Sequence, residues 1–283
     1  MSHMINPIRT SRNHSRKAIQ GLAVALFAGS VLFGLEAQAA SLAKNFTPRG
    51  AQTLDHSAFG ALLSQFVIPG TDGINRVNYR GLKAARSKLQ AYLTRMQAVS
   101  VPSLSSKAAK AYWINLYNAK TLDVVVTHYP MKSIRDINLG GGFLTKGPWK
   151  KKLLKVGGVD LSLDDVEHSI ARATWKDPRL HYGFNCASIG CPNLDTSAYS
   201  AKTIDAQLDD AARAFVNHPR GVAASKDGLT VSKLFKWYKA DFGNDNQRHA
   251  HWQKYATGSL KTNLSSNKTV KAYRYDWSLN EAR

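Results

Sequence analysis

The chain has 283 residues, with 39 lysines and arginines against 19 aspartates and glutamates, for a net charge of +20. That length suits one large domain or two small ones, and it can bury a sizeable core. The charge favours anionic partners. The basic residues are nevertheless scattered, as in Arg76, Arg80, Lys83, Arg86 and Lys88, rather than gathered into a nucleic-acid-binding patch.

The first 39 residues read as a secretory signal peptide. Arg9, Arg12, Arg16 and Lys17 form a basic leader, residues 18–35 an apolar run, and Ala37-Gln38-Ala39 a small-x-small cleavage site. The expected destination is periplasmic or secreted, which argues further against nucleic acid as a partner. No later apolar run is long enough to span a bilayer, so no stable membrane span is expected after cleavage. Two cysteines in an exported chain make one disulfide, Cys186–Cys191, the default expectation.

Residues 40–58 read as an extended lead-in and 59–283 as a single domain. Phe59 to Phe66 is a short amphipathic helix, broken by Pro69-Gly70-Thr71-Asp72-Gly73. Val77 and Tyr79 alternate like a short strand. Leu82, Ala85, Leu89, Tyr92, Leu93 and Met96 then recur at helical spacing, with a basic opposite face. Ser105-Ser106 can cap a helix over 107–127 that is apolar nearly all round and therefore buried on most sides. It carries Asn115 and Asn118, neighbours on one face. Their amides either tie adjacent backbone together or line a pocket, and the sequence leaves both readings open.

Gly140-Gly141-Gly142 forms a loop, and residues 150–162 a hairpin turning at Gly157-Gly158. Asp164 or Ser162 caps a helix, DDVEHSIARAT, that bears Glu167, His168 and Arg172. The next stretch, RLHYGFNCASIGCPNL, alternates Leu180, Tyr182 and Phe184 with His181, Gly183 and Asn185. It predicts a strand delivering Cys186 to a sharp turn. A helix over about 203–217, a hairpin over 221–231, a helix from Ser232, a polar stretch from Asn244, a short helix around Trp252 to Leu260 and a last strand over 270–277 complete the chain. The expected class is α+β: a helix-rich single domain with short strands and β-hairpins.

Three chemistries fit these residues. In the first, Cys186 is the nucleophile of a hydrolase or acyl transferase acting on an amide or thioester. His168 is then the base, with Glu167 or Asn115 orienting it. His181 is the poorer base, because its odd separation from Cys186 puts the two side chains on opposite faces of an ideal strand. In the second, the protein is a non-catalytic envelope protein with a Cys186–Cys191 disulfide, binding an anionic or peptide ligand. The third, a metal site from Cys186, Cys191, His168 and His181, is disfavoured by thiol spacing longer than that of structural zinc sites. No cofactor motif occurs.

The segments AYWINLYNAKTLDVV, VEHSIAR, LHYGFNCASIGCPNL, LTVSKLFKWYKADFG and YDWSLN together resemble the family called domain of unknown function 547. The resemblance implies one exported α+β domain without a settled activity. Its signature falls on Trp113, Asn115, Asn118, Glu167, His168, Arg172, Asn185, Cys186 and Pro192. That set of polar residues resembles a papain or transglutaminase site layout by analogy. Trp113, Asn118, Arg172 and Asn185 are then candidate binding residues around Cys186, and His181, from the same stretch as the cysteines, joins them.

Overall fold

The structure, a computed structural model, describes residues 41–139 and 146–282. The expected signal peptide and the Gly140-Gly141-Gly142 loop lie outside the described residues. The fold is α+β, with helices predominating and three small sheets among the described residues. Among the described residues no helix is long and apolar enough to cross a membrane.

The organising element is a long buried helix. Helix α1 (Ser57–Phe66) leads through β1 (Val67–Ile68) and β2 (Arg76–Val77), an antiparallel pair, into α2 (Tyr79–Ala84) and α3 (Arg86–Gln97). Helix α4 (Ser106–His128) follows, and Ser105 Oγ caps it by accepting from the Ala108 amide at 3.3 Å. Its core-facing residues reach all round the cylinder, from Tyr112 and Trp113 to Val125 and Val126, as its wide apolar surface predicts. The lead-in is not wholly extended. Residues 41–45 are helical, and Phe46 packs edge-on against Trp113 with ring centroids 5.2 Å apart.

The expected hairpin is β3 (Leu154–Val156) with β4 (Val159–Leu161), and Gly157 and Gly158 supply the positive φ values of 55° and 81° that its turn requires. Next comes a helical segment over Asp165–Arg172, wound as a π-helix and continued by one α-turn, Ala173–Trp175. Ser162, not Asp164, caps it. The Asp165 amide donates to Ser162 Oγ at 3.1 Å, and the Ser162 amide donates back to Asp165 Oδ2 at 2.7 Å. π-winding is rare and recurs at functional sites.

Two expectations fail locally. Leu180–Gly183 is a helical turn, α5, not a strand. Its four residues are all buried, and a Cβ on Gly183 would lie 3.0 Å from Ile114 Cδ1 and 3.1 Å from Leu208 Cδ2. Alternating apolar character there reflects a segment packed on every side, not one face of a sheet. The expected short helix around Trp252 to Leu260 is interrupted at Ala256-Thr257, and the polar stretch from Asn244, given no element from the sequence, is helical. After α6 (Ile204–Asn217), the sheet strands β5 (Val222–Ser225) and β6 (Gly228–Ser232), and short helices α7 (Leu234–Trp237) and α8 (Lys239–Phe242), helix α9 runs over Asp245–Tyr255. Asn244 and Gln247 form a reciprocal capping box at its start. Helix α10 (Gly258–Ser266) follows, and β7 (Val270–Arg274) joins β6 in parallel.

One apolar core surrounds α4, and a second, smaller one packs α6, α9 and the sheet β5-β6-β7 around Phe215, Phe235 and Trp252. The C-terminal segment beyond β7 crosses back to the cysteine loop. The Ile189 amide donates to Ser278 O and the Gly190 amide to Asp276 O, each at 2.8 Å.

Candidate functional site

A cleft of about 700 Å³ opens where the cysteine loop, the π-helix, α7 and the C-terminal segment meet. Both cysteines, Glu167, His168 and His181 line it.

The loop that carries Cys186 is held by side-chain amides. Asn118 Nδ2 donates to Gly183 O at 2.9 Å, and Asn118 Oδ1 accepts from the Asn185 amide at 2.9 Å. Asn185 in turn donates to Pro192 O at 2.8 Å and accepts from the Ala187 amide at 2.9 Å. Ala187 has φ of 57°, a left-handed conformation that costs an L-residue about 1–2 kcal/mol. The asparagines hold that conformation in place, so the chain reverses immediately after Cys186. Gly190 completes the turn, because a Cβ there would sit 2.7 Å from the Asp276 backbone nitrogen and 2.8 Å from its oxygen.

Cys186 is half-buried and lines the cleft, whereas Cys191 is buried. Cys186 Sγ lies 3.0 Å from Tyr275 Oη, 3.2 Å from Ser188 Oγ and 2.8 Å from Cys191 Sγ. The two cysteines are free thiols in the structure, not the disulfide expected from the sequence. Burial pushes the Cys186 thiol up, but hydrogen bonding with Cys191, Ser188 and Tyr275 outweighs it, and the net shift is downward. For Cys191, burial and its bond to the Cys186 sulfur drive the thiol well above the ordinary range.

The histidines are arranged differently from the expected dyad. No histidine nitrogen hydrogen-bonds Cys186 Sγ among the described residues, so the papain-type layout is not reproduced. His168 Nδ1 accepts from Arg172 Nη1 at 3.0 Å, and its Nε2 lies 3.7 Å from Asp164. The acidic neighbour expected to orient it, Glu167, turns to His181 instead. His181 is buried between two carboxylates, with Nε2 2.6 Å from Asp241 Oδ2 and Nδ1 3.6 Å from Glu167 Oε1, the latter too long for a hydrogen bond. Its ring stacks on Tyr238 at a centroid distance of 3.8 Å. Arg172 grips Asp241 through Nε and Nη2, at 2.6 and 2.9 Å. Burial raises both carboxyls, yet contact with His181 outweighs it. Asp241 is held well below the usual range with further help from Arg172, and Glu167 is lowered with the help of His168.

The remaining sequence candidates are scaffold. Asn115 lies outside the cleft, with both amide atoms bonded to the Tyr199 backbone at 2.8 and 3.0 Å. Trp113 is fully buried in the core. Asn118, Asn185 and Arg172 support the site through its backbone and Asp241 rather than facing a ligand. The sequence reading missed Tyr275, Ser188, Tyr238 and Asp241. Ser188 stood within the cysteine stretch as a turn residue, and Tyr275 stood in a segment already singled out. What brings Tyr275 to Cys186 is non-local pairing.

Opposite in character to the polar network, Trp149, Trp237, Tyr275 and Trp277 form an aromatic wall. Successive ring centroids are 4.6 to 5.8 Å apart, and Trp237 remains 47% exposed. Lys146, Lys150, Lys151 and Lys152 also border the cleft. Among the described residues, no three His, Cys, Asp or Glu side chains are grouped so as to hold a metal ion.

Residues 101–216 match the family described as "Protein of unknown function, DUF547". The match spans α4, the π-helix and the cysteine loop, and so supports the resemblance read from the sequence. Tyr238, Asp241 and Tyr275 lie beyond it. No curated protein and no solved structure matches the chain.

Proposed function

We propose that this DUF547-type domain is a cysteine-dependent hydrolase or acyl transferase in which Cys186 attacks the carbonyl carbon of an amide or thioester. One observation carries the reading. The Cys186 sulfur lines the cleft and touches two hydroxyls and the Cys191 thiol, three groups able to donate to it once it is deprotonated and so to favour the thiolate, the nucleophilic form. Attack forms a carbon–sulfur bond, and the leaving amine or thiol departs with a proton. Water or a second acceptor then releases the acyl group. In this reading His168, which lines the same cleft and is partly open to solvent, exchanges that proton with the leaving group. The lysines and the aromatic wall fit an acyl donor with an anionic group and a flat or apolar portion.

The test is acylation. Aryl thioesters of a short carboxylated peptide should leave an acyl adduct on Cys186, identified by mass spectrometry and lost in Cys186→Ser. A panel of amide and thioester electrophiles that never modifies Cys186 would refute the reading and favour a non-catalytic envelope protein that binds an anionic or peptide ligand in the same cleft. The proposal includes export. Protein recovered from outside the cytoplasm should begin near Ala40, and an intact leader on that protein would count against it.

A further inference from the structure

Two thiols of unequal exposure, packed sulfur to sulfur, are more than a single nucleophile requires. We propose that Cys186 and Cys191 form a thiol–disulfide exchange couple, with Cys186 as the attacking thiol, Cys191 as the resolving thiol, and a disulfide carried by an anionic ligand as the substrate. The proposal rests on the reading of Cys186 as a nucleophile and adds a second activity to it.

The geometry supplies each requirement of such a couple. Attack needs one sulfur within reach of the cleft, and of the two cysteines lining it Cys186 is the less buried. Resolution needs a second sulfur within reach of the first, and Cys191 Sγ is 2.8 Å from Cys186 Sγ. Closing that gap to about 2.05 Å is a small movement of two side chains in one loop. Resolution also needs Cys191 to become a thiolate once Cys186 is capped. The Cys186 amide already donates to Cys191 Sγ at 3.0 Å. Arg220 adds a fixed positive charge to the same loop, donating to Ile189 O at 2.9 Å and to Asn193 Oδ1 at 2.5 Å, on either side of Cys191. The opposite shifts of the two thiols, down for Cys186 and up for Cys191, agree with this division of labour.

The steps balance. The Cys186 thiolate attacks one sulfur of the substrate disulfide, a mixed disulfide forms, and the other substrate sulfur leaves as a thiolate. Cys191 loses its proton to solvent and attacks Cys186 Sγ. The Cys186–Cys191 bond forms, and the second substrate sulfur leaves. Two electrons pass from the protein dithiol to the substrate disulfide, and a dithiol reductant in the medium restores the starting state by the reverse exchange. The loop closed by the new bond is short, so the disulfide gains little from chain entropy and stays reducible.

The probe is 5,5′-dithiobis(2-nitrobenzoate), a carboxylated aromatic disulfide suited to the lysines and the aromatic wall. The reduced wild-type protein should release two thionitrobenzoates per chain. It should end with no adduct and a mass lower by two hydrogens, with Cys186 and Cys191 recovered in one cross-linked peptide. Cys191→Ser should release one thionitrobenzoate and keep a stable mixed disulfide on Cys186. If the wild-type protein instead retains an adduct on Cys186, or on both cysteines, the couple is overturned while the nucleophile stands. If Cys186 does not react at all in the folded protein, the acyl-transfer reading falls with it. Circular dichroism on each variant separates loss of reaction from loss of fold, and the wild-type stoichiometry needs no variant.

Discussion

Replacing Tyr275 with phenylalanine isolates what holds the Cys186 thiolate. The ring would keep its packing against Trp237 and Trp277, at centroid distances of 4.8 and 4.6 Å, and only the hydroxyl 3.0 Å from Cys186 Sγ would go. A hydrogen bond to a charged partner is worth about 1.5–3 kcal/mol. At about 1.4 kcal/mol per tenfold change, the Cys186 midpoint should rise by roughly one to two pH units. The thiolate fraction near neutrality then falls about 10- to 100-fold, while the more basic thiolate reacts roughly 3- to 10-fold faster. The net alkylation rate at pH 7 should therefore drop by about 3- to 10-fold. The assay is iodoacetamide modification of Cys186 in the reduced protein across pH, followed peptide by peptide. Wild type should titrate below the free-thiol value of about 8.5. A midpoint that is unchanged or lower in Tyr275→Phe, in a protein of unaltered circular dichroism, would refute the argument that side-chain donors rather than a histidine set the reactivity.

Three further outcomes follow from the same geometry. His168→Ala should leave the Cys186 midpoint within about half a pH unit of wild type, since His168 bonds Arg172 and not the sulfur; a shift as large as that of Tyr275→Phe would restore the dyad. Gly190→Ala should lower stability by about 1–3 kcal/mol and slow alkylation of Cys186, because its methyl group meets the Asp276 backbone and must push the C-terminal segment off the cysteine loop; denaturant unfolding and the alkylation rate check it together. Asp177 is raised by burial, but its bonds with Arg179 and the charge of Lys110 outweigh that and bring it down to about 2. A carboxyl depressed on folding stabilises above its unfolded value near 4, and that contribution disappears as pH falls toward 2. Asp177→Asn should thus cost about 2 kcal/mol at neutral pH and flatten the loss of stability between pH 4 and 2, read from thermal unfolding at stepped pH.

Sequence alone determined the elements whose signal is local. The all-round apolar character of α4, the glycine pair in the β3–β4 hairpin and the spacing of Leu89, Leu93 and Met96 each report a face or a turn that the segment itself encodes. It also singled out Cys186, Glu167 and His168, which the structure brings to one cleft. Helix α9 was missed, because its polar composition hid it, and its Asn244–Gln247 capping box emerges only in the structure. What only the tertiary structure decided is the company each side chain keeps. Periodicity shows that Leu180, Tyr182 and Phe184 are buried but not that their surroundings are helices on every side, so the segment read as a strand. Glu167 and His168 are adjacent in sequence, yet consecutive residues on a helix point in different directions, and they engage different partners: His181 for one, Arg172 and Asp164 for the other. Tyr275 reaches Cys186 only because the C-terminal segment pairs with residues 188–190, a contact spanning almost ninety positions. No local pattern encodes such a pairing, and it is this pairing that puts a hydroxyl, in place of the expected histidine, on the sulfur.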